Sequence, residues 1–266
     1  MRCEVTPEQI ALYRAQGFLH LPGFLTPAEV EELKAGVLEA MATMGRRKVA
    51  GAGANLQEGD SYYDKVFTQR LNLWKISAVV KRYMLNPELG RMLCRLEGVQ
   101  TMRVWHDQAL IKEPFANPTA WHLDNPYWSF YSPHAISIWI ALTDATPANG
   151  CMYYIPGSQK SVTYDNVGIG ENQADLFKVY PHLAELDSVG VPMRAGDCGL
   201  HNGLTAHGAG ANMTRGRRIA MTCAYMPEGS TFNGQQNVLP DRYFQTLQKG
   251  DVLRNDEQNP VVGRWT

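Results

Sequence analysis

Two segments of the chain alternate between side chains of opposite character. In residues 197–207 one face carries Asp, Gly, His and Thr, while the other carries Cys, Leu, Asn and Ala. Residues 218–226 repeat the pattern, with Arg, Ala and Thr on one face and Ile, Met, Cys and Tyr on the other. Successive side chains of a strand point to opposite faces of a sheet. The pattern therefore predicts strands whose inner face is small enough to leave room for a ligand, as in a ligand-holding barrel or jelly roll.

The segments before residue 99 carry helix signals instead. Thr6-Pro7 and Thr26-Pro27 each combine a capping threonine with proline at the first helical position, and Gly17 provides a stop after the first helix. From residue 99 onward, short runs rich in β-branched and aromatic residues alternate with Gly, Pro and Asn. We expect a mainly β protein with flanking helices, built as one domain over residues 1–266. Its predicted parts are a helical section at about 1–98, a β core at about 99–228 and a C-terminal tail at 229–266.

Composition narrows the classes of molecule that the protein is expected to bind. A formal net charge of −1 gives no electrostatic support for a nucleic-acid or membrane partner. The five cysteines are scattered without a C-x-x-C pair, which favours a reducing compartment. The N-terminus has no apolar signal core, and no run approaches the length of a membrane span. We expect a cytoplasmic protein that acts on a small molecule, and the sequence carries no signal for an oligomeric state.

The stretch "PTAWHLDNPYW" places His122 and Asp124 two residues apart, so that in an extended chain both side chains lie on one face. Such a pair alone is weak evidence for a metal. With a second, distant histidine it becomes the two-histidine, one-carboxylate face that binds non-haem Fe(II) and leaves positions open. His201 and His207 have the same parity, and His207 is favoured because Arg218 follows it by eleven residues. Arg218 would receive a carboxylate through its two-pronged donor geometry, which leaves His201 as a supporting residue.

Five segments in order resemble the phytanoyl-CoA dioxygenase family of Fe(II)- and 2-oxoglutarate-dependent oxygenases, from about Thr6 to Pro227. They are "TPEQIALYRAQGFLHLPGFLTPAEVEEL", "QALIKEP", "WHLDNPYW", "SIWIALTDATPANGCMYYIPGSQK" and "GLTAHGAGANMTRGRR". The resemblance implies a double-stranded β-helix, a cupin-like jelly roll with N-terminal helices packed on one sheet. It also implies a site that uses Fe(II), 2-oxoglutarate and O2.

Carried over by position, the resemblance makes His122, Asp124 and His207 the iron ligands. Arg218 would hold the distal carboxylate of 2-oxoglutarate, with Gln108 and Trp139 beside it. The chain departs from the family at Ala209, where relatives often have a serine that bonds the cosubstrate; Thr205 is the expected substitute. It also has Gln159 in "PGSQK" where the family has histidine, and no counterpart around residues 72–75 of a lysine found in some relatives.

The resemblance implies oxidation of a substrate C–H bond with release of succinate and CO2. An aspartate at position 124 favours hydroxylation over halogenation, because halogenating relatives have a small residue there. The residues expected to contact substrate are the aromatic neighbours of the site: Tyr127, Trp128, Trp105 and His106. Two alternatives remain open from the sequence. One is a jelly-roll module that binds a small molecule or metal without turnover, and the other is a cupin-type metalloenzyme that uses no cosubstrate.

Overall fold

Two antiparallel sheets form the body of the protein. The structure, a computed structural model, describes residues 1–51, 56–59, 62–165 and 167–265. Within these ranges a seven-stranded sheet has the order β1-β8-β5-β10-β3-β11, with β2 also pairing with β3, and a four-stranded sheet has the order β4-β9-β6-β7. Side chains of both sheets share one apolar cluster, so the sheets pack face to face as a jelly roll.

The longer described helices lie before residue 98, and most of the strands follow them. The helices are α1 (Pro7–Gln16), α2 (Pro27–Ala42), α3 (Ala78–Met84), α4 (Pro87–Glu97), α5 (Asp175–Val179) and α6 (Asp241–Phe244). The strands are β1 (Phe18–Leu21), β2 (Thr68–Leu71), β3 (Thr101–Lys112), β4 (Thr119–His122), β5 (Ile136–Ala141), β6 (Met152–Tyr154), β7 (Val189–Val191), β8 (Cys198–Asn202), β9 (His207–Ala209), β10 (Arg218–Pro227) and β11 (Val261–Arg264).

The predicted helix boundaries are confirmed by their caps. The Thr6 and Thr26 side chains each accept the backbone N–H of the third helical residue, and Gln9 and Glu29 close the two capping boxes. Gly17 ends α1 in the left-handed conformation at φ 86°, which a residue without Cβ adopts at little cost. The Gly-rich composition of residues 45–62 predicts a surface loop, and part of this stretch, at 52–55, 60 and 61, lies outside the described residues. Among the described helices, none is both long and apolar enough to cross a membrane.

Strand β10 has the two faces that its sequence predicts. Ile219, Met221, Cys223 and Tyr225 belong to the large apolar core that the N-terminal helices also enter. The opposite face carries small or polar side chains and points between the sheets, where Thr222 lines a cavity. The apolar side chains stabilise the helix-on-sheet packing by about 1.5–3 kcal/mol for each one fully buried. The small side chains on the inner face leave the cavity open.

The segment 197–207 differs from its prediction as one continuous strand. It forms β8 in the large sheet and β9 in the small sheet, joined by a turn in which the Asn202 side chain accepts the backbone N–H of Leu204 at 2.9 Å. His201 and His207 nevertheless meet, with ring centroids 4.4 Å apart. They do so because the two sheets face each other, and not because the residues share a strand face.

The Gly- and Asn-rich connection after His207 predicts that Arg218 lies on the neighbouring strand, and the structure differs from this prediction. Strand β10 lies between β5 and β3 in the large sheet, while β9 lies in the small one. The connection at 210–217 therefore crosses from one sheet to the other. Arg218 consequently approaches the cavity from the sheet opposite His207.

The C-terminal segment completes the large sheet. Strand β11 pairs with β3 at one edge of that sheet, and helix α4 packs across it. The two backbones approach closely at a pair of glycines. A Cβ atom built on Gly263 would lie 2.5 Å from the carbonyl carbon of Gly90 and 2.6 Å from the backbone nitrogen of Arg91. This approach requires glycine at position 263.

We predict that Gly263→Ala destabilises the protein by about 1–3 kcal/mol, because the helix and strand backbones must separate to admit the methyl group. Urea denaturation followed by circular dichroism measures the change. Gly168→Ala is the matched control, because a Cβ there has no heavy atom within 4 Å. Equal loss of stability in the two variants would contradict the role of this contact.

Candidate metal centre

Three potential metal ligands meet between the sheets. His122 ends β4, Asp124 follows it by two residues, and His207 begins β9 as the register partner of His122. Their ligand atoms all lie within 4.8 Å of one another. Asp124 Oδ1 is 3.6 Å from Nε2 of His122 and 3.6 Å from Nε2 of His207. Two imidazoles and one carboxylate in this arrangement match the facial ligand set of non-haem Fe(II) enzymes.

Backbone carbonyls fix the orientation of both imidazoles. Nδ1 of His122 donates to the carbonyl of Ala120 at 2.8 Å, and Nδ1 of His207 donates to the carbonyl of Thr205 at 2.9 Å. The proton therefore resides on Nδ1, and the lone pair of each Nε2 faces Asp124. Hydrogen bonds of this kind set the tautomer and ring direction of metal-binding histidines.

Asp124 is held through its other oxygen. Oδ2 accepts hydrogen bonds from Ser137 Oγ at 2.9 Å and from His201 Nε2 at 3.1 Å. His201 is the supporting residue that the sequence predicts, because its ring bonds to Asp124 and lies outside the three-ligand group. Oδ1 remains directed at the two histidines. Asp124 is thus presented as a ligand through one oxygen.

The charge states of Asp124 and His207 suit the binding of a metal cation. Burial opposes ionisation of Asp124, but the imidazoles of His207, His122 and His201 hold the pKa of its carboxyl well below the usual range. Burial and the neighbouring imidazoles of His122 and His201 lower the pKa of His207 well below its usual value. At neutral pH the group therefore offers an ionised carboxylate and a neutral imidazole, the forms that bind a metal.

A cavity opens beside these ligands. Gln108 and Trp139 line it from the large sheet, as the sequence predicts for residues near a cosubstrate. Tyr63 and Phe67 line it from the segment before β2, and the sequence pattern did not single them out. Burial, with the charge of Asp124 nearby, raises the pKa of Tyr63, so its phenol keeps its proton at neutral pH.

Arg218 packs against two of the rings that line this cavity, and its guanidinium has no hydrogen-bond partner among the described residues. The side chain is fully buried, and none of its three guanidinium nitrogens has a partner among the described residues. Its Cζ lies 5.2 Å from the ring centroid of Trp139 and 5.5 Å from that of Phe67. Contacts with aromatic rings offset part of the desolvation cost, but buried donors without acceptors remain costly. The residues present therefore fit a carboxylate ligand at this point.

Thr205 is the predicted site residue that lies apart from the others. Thr205 lies in the turn between β8 and β9, and its hydroxyl donates to the carbonyl of Gly17 at 2.8 Å. A different hydroxyl is available at the cavity. Thr119 lines the cavity opposite Ala209, its register partner, and its buried hydroxyl has no hydrogen-bond partner within the described ranges. No short motif marks Thr119 in the sequence, because its position opposite Ala209 results from pairing between distant strands.

Three of the predicted substrate residues, Trp105, His106 and Trp128, form an aromatic group with Phe130, and none of the three is among the residues that line the cavity. The register of β3 against β10 shifts beside Trp105, which places Trp105 and His106 against Phe130 and Trp128. Trp105 packs edge-on to Phe130 at 5.3 Å, and His106 packs edge-on to Trp128 at 6.1 Å. The Tyr127 hydroxyl donates to the Val167 carbonyl.

The comparisons with known proteins agree on one family. A model of the phytanoyl-CoA dioxygenase family matches residues 13–220. The dioxygenase lolE1 of Epichloe uncinata is 26% identical over 249 residues, which cover 90% of this chain and 88% of that protein. The peroxisomal phytanoyl-CoA dioxygenase of Mus musculus is 24% identical over 239 residues, which cover 83% and 68% of the two chains.

Two solved structures resemble the fold of this protein over almost its whole chain. The non-haem, alpha-ketoglutarate-dependent carbocyclase SnoK from nogalamycin biosynthesis superposes with a TM-score of 0.78 at 30% identity, covering 97% of each chain. The epimerase SnoN, in complex with Fe3+, alpha-ketoglutarate and nogalamycin RO, has a TM-score of 0.73 at 26% identity, covering 96% of this chain and 97% of SnoN. With the His-Asp-His group in place, the chain belongs to the phytanoyl-CoA dioxygenase family of iron- and 2-oxoglutarate-dependent oxygenases.

Proposed function

We propose that the protein binds Fe(II) through His122, Asp124 and His207, binds 2-oxoglutarate with Arg218, and hydroxylates a C–H bond of a small organic substrate. The observation that carries the proposal is the buried guanidinium of Arg218, which has no hydrogen-bond partner among the described residues and packs on Trp139 and Phe67, two rings that line the cavity beside the three ligands. A neutral-imidazole and carboxylate ligand set leaves a bound Fe(II) with net positive charge. A dianion with a carboxylate at each end suits a metal at one end of the cavity and an arginine at the other.

The bound metal and cosubstrate would supply oxygen activation, coupled to the conversion of 2-oxoglutarate into succinate and CO2. The side chains of the protein orient the metal ligands and exclude water. Ser137 and His201 keep Asp124 on one oxygen, and a carboxylate in this position leaves no vacancy for halide. Gln108 and Trp139 line the cosubstrate side of the cavity, and Trp139 shields Arg218 from water. These features support hydroxylation over halogenation.

The substrate proposed for this site is uncharged where it meets the aromatic group. Trp105, Tyr127 and Trp128 carry no charge at neutral pH, and burial lowers the pKa of His106 to about 4, so its imidazole is neutral as well. A charged substrate group placed there would lose hydration without gaining a counter-charge. Aromatic and neutral polar contacts therefore favour an apolar or aromatic small molecule.

Oxidative ring formation is a second candidate reaction. Its support is the full-length similarity to SnoK, a carbocyclase at 30% identity. Hydroxylation and ring closure would both begin with loss of a hydrogen from a substrate carbon. They differ in the product, because hydroxylation adds one oxygen whereas ring closure removes two hydrogens. Mass spectrometry of the product of a succinate-releasing substrate separates the two.

We predict that Asp124→Ala and Arg218→Met abolish substrate-dependent succinate release for different reasons. Asp124→Ala should weaken Fe(II) binding, whereas Arg218→Met should keep the metal and weaken 2-oxoglutarate by about 100-fold or more, since a buried charge pair is lost. Anaerobic titration of the charge-transfer band of iron-bound 2-oxoglutarate measures both. Arg217→Met is the control, because Arg217 lies at the surface and pairs with Glu113.

A module that binds without turnover would release no succinate with any ligand in a metabolite screen. A metalloenzyme without a cosubstrate would turn over substrate equally well in Arg218→Met. Either result would contradict the proposal.

We also predict that Thr119 bonds the distal carboxylate in place of the serine that relatives have at position 209. Thr119→Val keeps the side-chain shape and should weaken 2-oxoglutarate binding by about tenfold, the effect of one charge-assisted hydrogen bond. Calorimetric titration under anaerobic conditions with Mn(II) as the metal measures the change.

A double variant that moves the hydroxyl from β4 to β9 provides the control for Thr119→Val. In Thr119→Val/Ala209→Ser the hydroxyl returns to the same region from β9, and affinity should recover. If Thr119→Val binds 2-oxoglutarate as tightly as the wild type, the assignment is wrong.

A third prediction concerns His201. His201→Ala removes a hydrogen bond to Asp124 Oδ2 and should weaken metal affinity by about 10- to 100-fold, as loss of such supporting contacts does in other metal sites. Competition with a fluorescent chelator measures Mn(II) affinity. His182→Ala removes an exposed histidine far from the ligands and should bind metal as the wild type does. Unchanged affinity in His201→Ala would show that Ser137 alone holds the carboxylate.

A further inference from the structure

Lys112 is a fully buried cationic side chain at the end of β3. Its Nζ donates to the backbone carbonyl of Asn117 at 2.6 Å. Among the described residues, no carboxylate forms an ion pair with it, although ten pairs join other lysines and arginines in those ranges to carboxylates. A buried lysine whose hydrogen-bond partner is a neutral carbonyl is unusual, because burying an ammonium without a counter-charge is costly.

Lys112 and Arg218 occupy one cradle. They are register partners across β3 and β10, and both are fully buried. Both also contact Phe67, whose ring centroid lies 4.6 Å from Lys112 Nζ and 5.5 Å from Arg218 Cζ. The lysine stem is confined by Gly150, where an added Cβ would lie 2.8 Å from Lys112 Cδ. The side chain therefore cannot swing away from Arg218 without moving the backbone beside it.

Two adjacent buried cations without an anion would repel each other. Burial and the charge of Arg218 lower the pKa of Lys112 to about 6. Burial lowers the pKa of Arg218 to about 9, which leaves the guanidinium charged at neutral pH. In the empty cradle at pH 7, Arg218 is thus a cation, while Lys112 is largely the neutral amine.

We propose that Lys112 is a conditional second cation of this cradle, neutral when it is empty and protonated when a carboxylate binds beside Arg218. The inference rests on the proposed function, in which that carboxylate is the distal end of 2-oxoglutarate. The proton comes from solvent and forms a new N–H bond on Nζ. The protonated amine and Arg218 then face the carboxylate together, so Lys112 positions the cosubstrate without taking part in the chemistry at the metal.

The proposal predicts the direction in which the affinity for 2-oxoglutarate changes with pH. Below about pH 6 Lys112 is protonated with or without the ligand, and affinity for 2-oxoglutarate is highest. Above that pH the free protein loses the proton first, so affinity falls by about tenfold per pH unit until the bound form also loses it. The two other titratable groups that act on Arg218, Tyr63 and Cys151, keep their protons near pH 7, because burial raises the pKa of each. Glu113, the carboxylate next to Lys112 in sequence, forms an ion pair with Arg217 at the surface.

Proton uptake on binding tests the proposal directly. Anaerobic calorimetry with Mn(II) in the metal site, at pH 7 in two buffers of different ionisation enthalpy, counts the protons taken up with 2-oxoglutarate. We expect uptake approaching one proton per bound molecule. The comparison ligand is 2-oxopentanoate, which has the same 2-oxo acid end and chain length but no distal carboxylate. Because both ligands would chelate the metal alike, the difference between them reports the cradle alone, and 2-oxopentanoate should show no uptake.

Lys112→Met keeps the length of the side chain without the amine. It should bind 2-oxoglutarate more weakly at pH 6, lose the uptake and show affinity that no longer varies between pH 6 and 8. Arg217→Met, which removes an exposed cation next to Arg218 in sequence, should retain the uptake. Equal uptake with both ligands in the wild type, or undiminished uptake in Lys112→Met, would overturn the proposal. The wild-type comparison decides the matter even if Lys112→Met fails to fold. Failure of the wild type to bind 2-oxoglutarate at all would instead refute the proposed function.

Discussion

The unpaired guanidinium of Arg218 is the constraint on which the site depends. Its side chain is fully buried, and its nitrogens have no acceptor within the described part of the chain, which costs free energy. Contacts with the rings of Phe67 and Trp139 offset part of that cost. A bound carboxylate would offset more of it, which is why the proposed function places one beside Arg218.

The metal ligands and their supports come from opposite sheets. His122 and His207 lie on the small sheet, whereas Ser137 and His201, which hold Asp124, lie on the large sheet. The geometry of the centre therefore depends on how the two sheets pack, and any change in that packing alters the oxygen that Asp124 presents. This explains why a site of only three ligands needs a domain of this size to orient it.

Local signals in the sequence predicted the helices, the faces of β10 and the His122–Asp124 pair, because caps and two-residue alternation are short-range effects. His207, 85 residues after His122, was assigned to the same group by resemblance to the family. The errors arise where the chain turns or pairs at long range. Alternation along 197–207 cannot show that the Asn202 turn sends the strand into the second sheet. Thr119 gains its place at the cavity from pairing with Ala209, ninety residues away, and Lys112 gains its own from pairing with Arg218. No local pattern contains either relation.

Two groups of buried side chains differ in charge, and the proposed function gives each group a different ligand. Arg218 is a cation beside Lys112, whereas Trp105, His106 and Trp128 are neutral and aromatic. A dicarboxylate bound in reverse, with a carboxylate among the aromatic rings, would leave that charge unpaired and the guanidinium without an acceptor. The same difference in charge would disfavour an uncharged substrate beside Arg218. Under the proposed function, the charge pattern would therefore separate cosubstrate from substrate before any contact specific to either is made.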